Sequence, residues 1–332
     1  MTFSETILHW FRANGRELPW RATRDPYAIW LSEIILQQTR ISQGLPYWER
    51  FMRRWPTVYD LAAATEDEVL REWQGLGYYS RARHLHAAAQ QIAADGGFPT
   101  TMKGLLALEG VGDYTAAAIG SIAFDLPVAV VDGNVYRVLA RHFGIETPIN
   151  TTAGKKEFAA LAASLLLPGE AAAYNQGMMD FGAMQCTPTN PDCVACPLVE
   201  TCVALSTDSV DRLPVKEKRL TVRDRHIIYI YIRYEGQTVL HRRAPGDIWQ
   251  GLYEPWLAVE VPADAMLLRQ GVRHVLTHQV IHADFWLWEP AERPKLPADY
   301  FWVREDEVGD YGIPRLVELL MEALHAKNRQ GI

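Results

Sequence analysis

Every cysteine of the chain, Cys186, Cys193, Cys196 and Cys202, falls in one stretch, CTPTNPDCVACPLVETC, spaced C-x6-C-x2-C-x5-C. Thiols this close together can ligate a metal centre. Zinc sites usually draw on two short knuckles joined by a longer loop, whereas here one C-x2-C is flanked by single cysteines. A compact iron–sulfur cube accepts four cysteines at varied spacing, so the pattern favours a [4Fe–4S] cluster over zinc or unligated thiols without excluding either. The start, MTFSETILHWFRANGRELPW, has no basic segment followed by an apolar run, so no signal peptide is expected. A reducing compartment follows from that, and it disfavours a disulfide framework.

Two carboxyls also stand where chemistry is possible. Glu33 interrupts the apolar helical segment WLSEIIL, and desolvation there should raise its pKa. It is either a paired structural acid or a general acid held protonated near pH 7. Asp132 ends the apolar run VAVVD just before a new helix begins at GNVYRVLARHF. It is either a simple N-cap or a carboxylate kept ionised by the helix terminus. Two carboxyls in contrasting environments form an acid/base pattern. Gly110 and Gly112 bracket Val111 ahead of the helical run DYTAAAIGSIAF. They either permit a plain turn between helices or expose amide N–H groups to a phosphate at a helix N-terminus.

These residues need elements to hold them. Through about residue 205 apolar residues recur three or four apart, as in YWERFMRRW, DEVLREWQGLG and SRARHLHAAAQQIAAD, which predicts helices. From Arg225 the period changes. HIIYIYIR, the turn pair Glu235-Gly236 and TVLHRR read as a β-hairpin, FWLWEP and DYFWV as further strands, and RLVELLMEALHAK as a closing helix. The spacing therefore predicts a helical domain over 1–205, a basic linker over 206–224 and an α+β domain over 225–332.

The chain has 332 residues, 48% hydrophobic and 22% charged, as in ordinary globular proteins. No apolar stretch approaches the roughly 18 residues of a membrane span. A cytoplasmic protein is expected, nucleoid-associated if bacterial. The net charge of −7 argues against a nucleic-acid partner only weakly. Between Arg212 and Arg225 there are six Lys and Arg against two acids, and screening confines each field to about 8–10 Å, so a local basic strip can still bind phosphate.

Taken in order, LPW (18–20), DPYAIWLSEIILQQT (25–39), GLGYYSRAR (75–83), GVGDYTAAAI (110–119), VDGNVYRVLAR (131–141), the cysteine loop and WQGLYE (249–254) resemble the adenine DNA glycosylases of the MutY family, in the helix-hairpin-helix glycosylase superfamily. The resemblance spans nearly the whole chain. It implies a multidomain fold: an all-α glycosylase domain with an iron–sulfur loop, and a C-terminal α+β Nudix-like domain. The helical part would divide into a six-helix module over about 25–133, with the hairpin near 105–122, and an iron–sulfur module from 1–24 and 134–205.

The implied activity is base-excision repair by hydrolysis of the N-glycosidic bond of adenine mispaired with 8-oxoguanine or guanine. Glu33 would protonate the adenine and Asp132 would face the oxocarbenium-like sugar, with Asn134 positioning the carboxylate or the water. Arg21 and Gln176 fall where family members line the adenine pocket. Gln38 and Tyr78 fall where they enter the duplex, and an aromatic wedge there offsets a few kcal/mol of lost stacking. Tyr114 replaces the lysine of bifunctional relatives; a phenol forms no Schiff base, so strand cleavage should be slow or absent. The four cysteines become a [4Fe–4S] ligand set whose binding fixes an irregular loop. The expected partner is double-stranded DNA bound by a monomer, and the linker is a candidate docking segment for a replication or repair protein.

The chain departs from the family pattern in four places. The C-terminal domain lacks the acidic R-E-x-x-E-E run with which Nudix hydrolases hold Mg²⁺, so nucleotide hydrolysis is not expected there. Leu276, Thr277 and His278 stand where family members carry F-S-H to recognise 8-oxoguanine, which puts the strength of lesion discrimination in question. TPTNPD in the cysteine loop carries no Lys or Arg. Glu109 replaces the usual proline before the hairpin. Two other readings compete: a thymine or uracil mismatch glycosylase, and a non-catalytic DNA-binding or redox-signalling protein. The Glu33–Asp132 pair disfavours the second.

Overall fold

The structure, a computed structural model, describes residues 1–217 and 222–330. Lys218, Arg219, Leu220 and Thr221, part of the expected basic linker, lie outside the described residues. In chain order the helices are α1 (Phe3–Asn14), α2 (Pro26–Leu36), α3 (Ile41–Arg54), α4 (Val58–Ala63), α5 (Glu66–Trp73), α6 (Ser80–Ala94), α7 (Met102–Leu106), α8 (Asp113–Phe124), α9 (Gly133–Phe143), α10 (Thr152–Ser164), α11 (Ala171–Met184) and α12 (Val203–Ser206). Strands β1 (Arg223–Ile232), β2 (Gln237–Arg242), β3 (Tyr253–Glu254), β4 (Trp256–Ala258), β5 (Met266–Val275), β6 (Gln279–Trp288) and β7 (Tyr300–Arg304) precede α13 (Arg315–Gln330). The helical first part and the change of period near Arg225 match the expectation. The chain separates into two compact units, one of 1–44, 55–59 and 87–218, the other of 45–54, 60–86 and 219–332.

In the first unit α2 and α8 are apolar on nearly every side, and such helices belong inside a core. They pack around Ile29, Ala117, Ala118, Ile122 and Val130. A second core gathers α1, α9, α10 and α11 around the fully buried Phe158, Tyr174 and Phe181. Truncating a phenylalanine packed this tightly costs about 3–5 kcal/mol. Local chemistry sets the helix starts. Asp25 caps α2 through Tyr27 N at 3.0 Å with Pro26 at the first turn, and Thr151 caps α10.

In the second unit the sheets run β4-β1-β6-β5 and β3-β2-β7. The expected β1–β2 hairpin is overturned. The Glu235-Gly236 turn is present, closed by Tyr234 and Gln237, but the strands then part into different sheets. The reason lies in the run HIIYIYIR, which is apolar on both faces, as a strand buried on both sides requires. Tyr229 and Tyr231 face the core beneath α13, while Ile230 and Ile232 face a second core with Val239 of β2. The strand that pairs with β1 along its whole length is β6, in parallel register. Between β4 and β5 the chain runs through turns with no helix. Helical residues 60–86 belong to this unit: Arg242 bonds Glu66 and Asp67 at 2.9 Å, and Gln74 bonds Glu318 at 2.6 Å.

Candidate active site

Glu33 lies in the last turn of α2, buried at 9% exposure. The Tyr114 hydroxyl, from the first turn of α8, donates to Glu33 Oε2 at 2.5 Å. Burial pushes the Glu33 carboxyl up to about 7; the Tyr114 bond and Arg21 pull it down, and Asp132 pushes it further up. Burial also holds the Tyr114 phenol well above its ordinary value, so it stays protonated and donating.

Asp132 is the N-cap of α9, as one of its two readings had it. Its Oδ1 accepts from Val135 N at 2.8 Å, and its Oδ2 accepts from Asn134 Nδ2 at 2.7 Å. Burial nevertheless lifts the Asp132 pKa, outweighing those bonds. The helix terminus therefore does not shift Asp132 downward as expected: desolvation raises both carboxyls, Glu33 to about 7. Asp132 acts electrostatically on Glu33, and its charge raises the Glu33 pKa further.

Several positioning groups were missed from sequence: Asn175 and Asp180 lie in no quoted motif, and Arg137 stands inside VDGNVYRVLAR without being singled out. Asn175 on α11, 1% exposed, accepts from Val130 N at 3.0 Å and donates to Ser121 Oγ at 2.9 Å and Val128 O at 2.8 Å. It clamps the segment leading to Asp132 onto α8. Arg137 donates to Asn134 Oδ1 at 3.0 Å and to Cys186 O at 2.7 Å, linking the Asp132 turn to the cysteine loop. A Cβ at Gly182 would lie 2.6 Å from Asn134 Cβ, so only glycine lets α11 approach this turn. Asp180, 0% exposed, holds Arg21 through two bonds of 2.7 and 2.8 Å. One signal was available for Asn175 and Asp180: polar side chains inside an apolar helical run, the same signal that marked Glu33.

Arg21, in the 3-10 turn Pro19–Arg21, acts electrostatically on both Glu33 and Tyr114. Gln176 lies four residues before Asp180 on α11 and so shares its face of that helix. At the hairpin Gly110 adopts φ 71°, and Gly112 starts α8 with no side-chain cap, leaving first-turn N–H groups open. Gln38 and Tyr78 are exposed, and both hold left-handed backbones, φ 56° and 49°. Strain of that kind in bulky residues concentrates at functional sites.

In the second unit Thr277 and His278 form the exposed tip of the β5–β6 turn, which is closed by Leu276 N donating to Gln279 O at 2.8 Å. The Tyr78 and Thr277 hydroxyls lie 2.9 Å apart.

Cys186, Cys193, Cys196 and Cys202, all free and half-buried, line one small pocket. Arg141, 3% exposed, points a guanidinium N–H at Cys186 Sγ, 3.5 Å away, while bonding Thr187 O at 2.7 Å and Pro188 O at 3.1 Å. Burial pushes the Cys196 thiol up to about 11, its neighbouring cysteines adding to the rise. Among the described residues no group of His, Cys, Asp and Glu is close enough to hold a single metal ion. Four thiols lining one pocket, with the buried Arg141 guanidinium against Cys186, are a donor set that thiolate-bound iron can use. Among the described residues no helix is long and apolar enough to cross a membrane.

Comparison with known proteins identifies the family. The model for the HhH-GPD superfamily of base excision DNA repair proteins matches residues 31–163, and that for the NUDIX domain matches residues 228–323. The adenine DNA glycosylase of Buchnera aphidicola subsp. Schizaphis graminum is 34% identical over 254 residues, 76% of this chain and 73% of the relative. That of Arabidopsis thaliana is 36% identical over 310 residues, 80% of this chain and 49% of the relative. Among solved structures, a thermostable thymine-DNA glycosylase aligns with TM-score 0.58 at 33% identity, covering 62% of this chain and 95% of its own. The chain thus belongs to the adenine DNA glycosylase family and is a base-excision-repair DNA glycosylase, an enzyme that hydrolyses N-glycosyl bonds.

Proposed function

We propose that the chain removes adenine opposite 8-oxoguanine or guanine and leaves the strand intact. The observation that carries this reading is the Glu33–Tyr114–Asp132 constellation, with Glu33 raised to about 7. Glu33 gives its proton to a ring nitrogen of the flipped adenine as the C1′–N9 bond breaks, and the bond's electrons leave with the base. The sugar becomes an oxocarbenium-like cation facing the Asp132 carboxylate, and water then adds at C1′, releasing a proton. Asn134 and the α9 N-terminus hold Asp132 toward the sugar. Arg21 and Gln176 line the base pocket, and the hairpin at Gly110 and Gly112 receives a phosphate on its open N–H groups. Gln38 and Tyr78 each enter the duplex, and the Tyr78 ring fills the gap left by the flipped base.

The four cysteines, with Arg141 beside Cys186, hold a [4Fe–4S] cluster that supplies folding energy to their loop. The C-terminal domain reads the lesion through Thr277 and His278: 8-oxoguanine carries a hydrogen on N7 where guanine has an acceptor, and a hydroxyl can accept from it.

Single-turnover base release from duplexes with A opposite 8-oxoguanine, A opposite G and T opposite G tests the whole. Fast release of adenine with thymine untouched is expected. The alternative, thymine release, is the activity named for the structural relative, whose likeness stops at 62% of this chain. Preferential thymine release would replace the proposal with that reading.

A further inference from the structure

Asp180 is a fully buried carboxylate in α11, a helix otherwise mostly apolar. A buried charge costs several kcal/mol unless it is paired and hydrogen-bonded. Asp180 is paired twice. Its Oδ2 accepts from Arg16 N at 2.9 Å and Arg21 Nη1 at 2.7 Å; its Oδ1 accepts from Arg16 Nε at 2.9 Å, from Arg21 Nη2 at 2.8 Å and from Arg16 Nη2. Arg21 Nη1 also donates to Arg16 O at 3.0 Å. Burial raises the Asp180 pKa, but the bonds from Arg21 and Arg16 outweigh it and hold the carboxyl below its ordinary range.

This pairing matters because Arg21 acts electrostatically on Glu33. Three charged or titratable groups act on that carboxyl: Tyr114 from α8, which bonds it directly, Asp132 at the start of α9, and Arg21 from the turn after α1. Behind them stand Asp180 and Arg16 on the Arg21 side, and Arg137 on the Asp132 side. An unpaired guanidinium in that position would drive a carboxyl toward ionisation and strip Glu33 of the proton it must donate. We propose that Asp180 is a positioning residue for the glycosylase reaction: its two-bond grip on Arg21 fixes that guanidinium and balances its charge in the pocket of the general acid Glu33. The inference rests on the general-acid reading of Glu33.

The test is the pH profile of single-turnover adenine release, 8-oxoguanine opposite, with folding checked by circular dichroism and melting. The wild-type rate should fall on the alkaline side as Glu33 ionises. Asp180→Asn keeps the shape and an acceptor but removes the charge; its alkaline midpoint should move down by roughly half to one pH unit, the effect of an opposite charge left uncompensated nearby. Asp180→Glu keeps the charge and should leave the midpoint in place, whatever it does to the rate. Arg21→Gln should move the midpoint up, and the Asp180→Asn/Arg21→Gln pair should return it toward wild type. A uniform loss of rate in Asp180→Asn with an unmoved midpoint would overturn the proposal and leave Asp180 as an ordinary structural anchor. If Asp180→Asn does not fold, the Arg21→Gln arm decides, and a midpoint that fails to rise overturns the proposal. A wild type that releases no adenine at all defeats the general-acid reading itself, a result distinct from an unmoved midpoint in an active enzyme.

Discussion

The Tyr114 hydroxyl donates to Glu33 Oε2 at 2.5 Å, so the acid's own proton is left to the other carboxyl oxygen. One side chain therefore anchors the carboxyl while the proton stays available for transfer. Glu33→Gln keeps the acceptor for Tyr114 and removes only the transferable proton. Adenine release should fall by roughly 10²–10⁴, the usual weight of a general acid, while duplex binding persists. Single-turnover rates beside equilibrium binding measure both; near-normal excision would remove Glu33 from the chemistry.

The same substitution should stabilise the fold. Glu33 has its folded pKa raised from 4.5 to about 7, so the native state binds more protons than the unfolded state between those values. Stability is then lost as pH rises through that window, on the order of 3 kcal/mol at most from the size of the shift. Glu33→Gln should melt higher than wild type at pH 8 and converge with it at pH 4.5. A variant that melts lower at pH 8 would show Glu33 to be a structural acid.

Asp132→Asn should abolish excision at least as fully as Glu33→Gln, because an amide cannot balance the sugar cation. Asparagine caps helices about as well as aspartate, so α9 should remain folded. Melting within about 1 kcal/mol of wild type, with excision lost, would separate chemistry from capping.

Purified without oxygen, the protein should be yellow-brown, with about four irons per chain. Cys196→Ser should reduce iron content and lower the melting temperature together, since the cluster supplies the loop's folding energy. Stoichiometric zinc with no iron would reject the cluster.

Thr277→Val keeps the branched shape and removes the hydroxyl that meets Tyr78, and Tyr78→Phe removes its partner. Each should cut the preference for A opposite 8-oxoguanine over A opposite G by roughly three- to tenfold, the worth of one hydrogen bond. Rates on the two duplexes, compared variant by variant, decide it; an unchanged ratio in both would move lesion reading elsewhere.

Much was legible in the sequence alone, for a local reason. Helix and strand periods, the Asp132 cap and the crowded cysteines are set by neighbours along the chain, and the motif order carried the family. Tertiary structure decided what depends on distant segments. HIIYIYIR shows its strand character by itself, but its main partner β6 is chosen by which apolar faces remain to be covered, and that choice undid the hairpin. Glu33 reads as a buried acid, and burial does raise its pKa to about 7, but the bond from Tyr114 and the charges of Asp132 and Arg21 that adjust it come from three other segments. Asp132 reads as charged beside a helix terminus, and only burial by residues far along the chain reverses the direction of its shift. Asp180 and Asn175 escaped notice because hydrogen bonds spanning 159 residues, as between Arg21 and Asp180, or 45, as between Val130 and Asn175, leave no spacing to find.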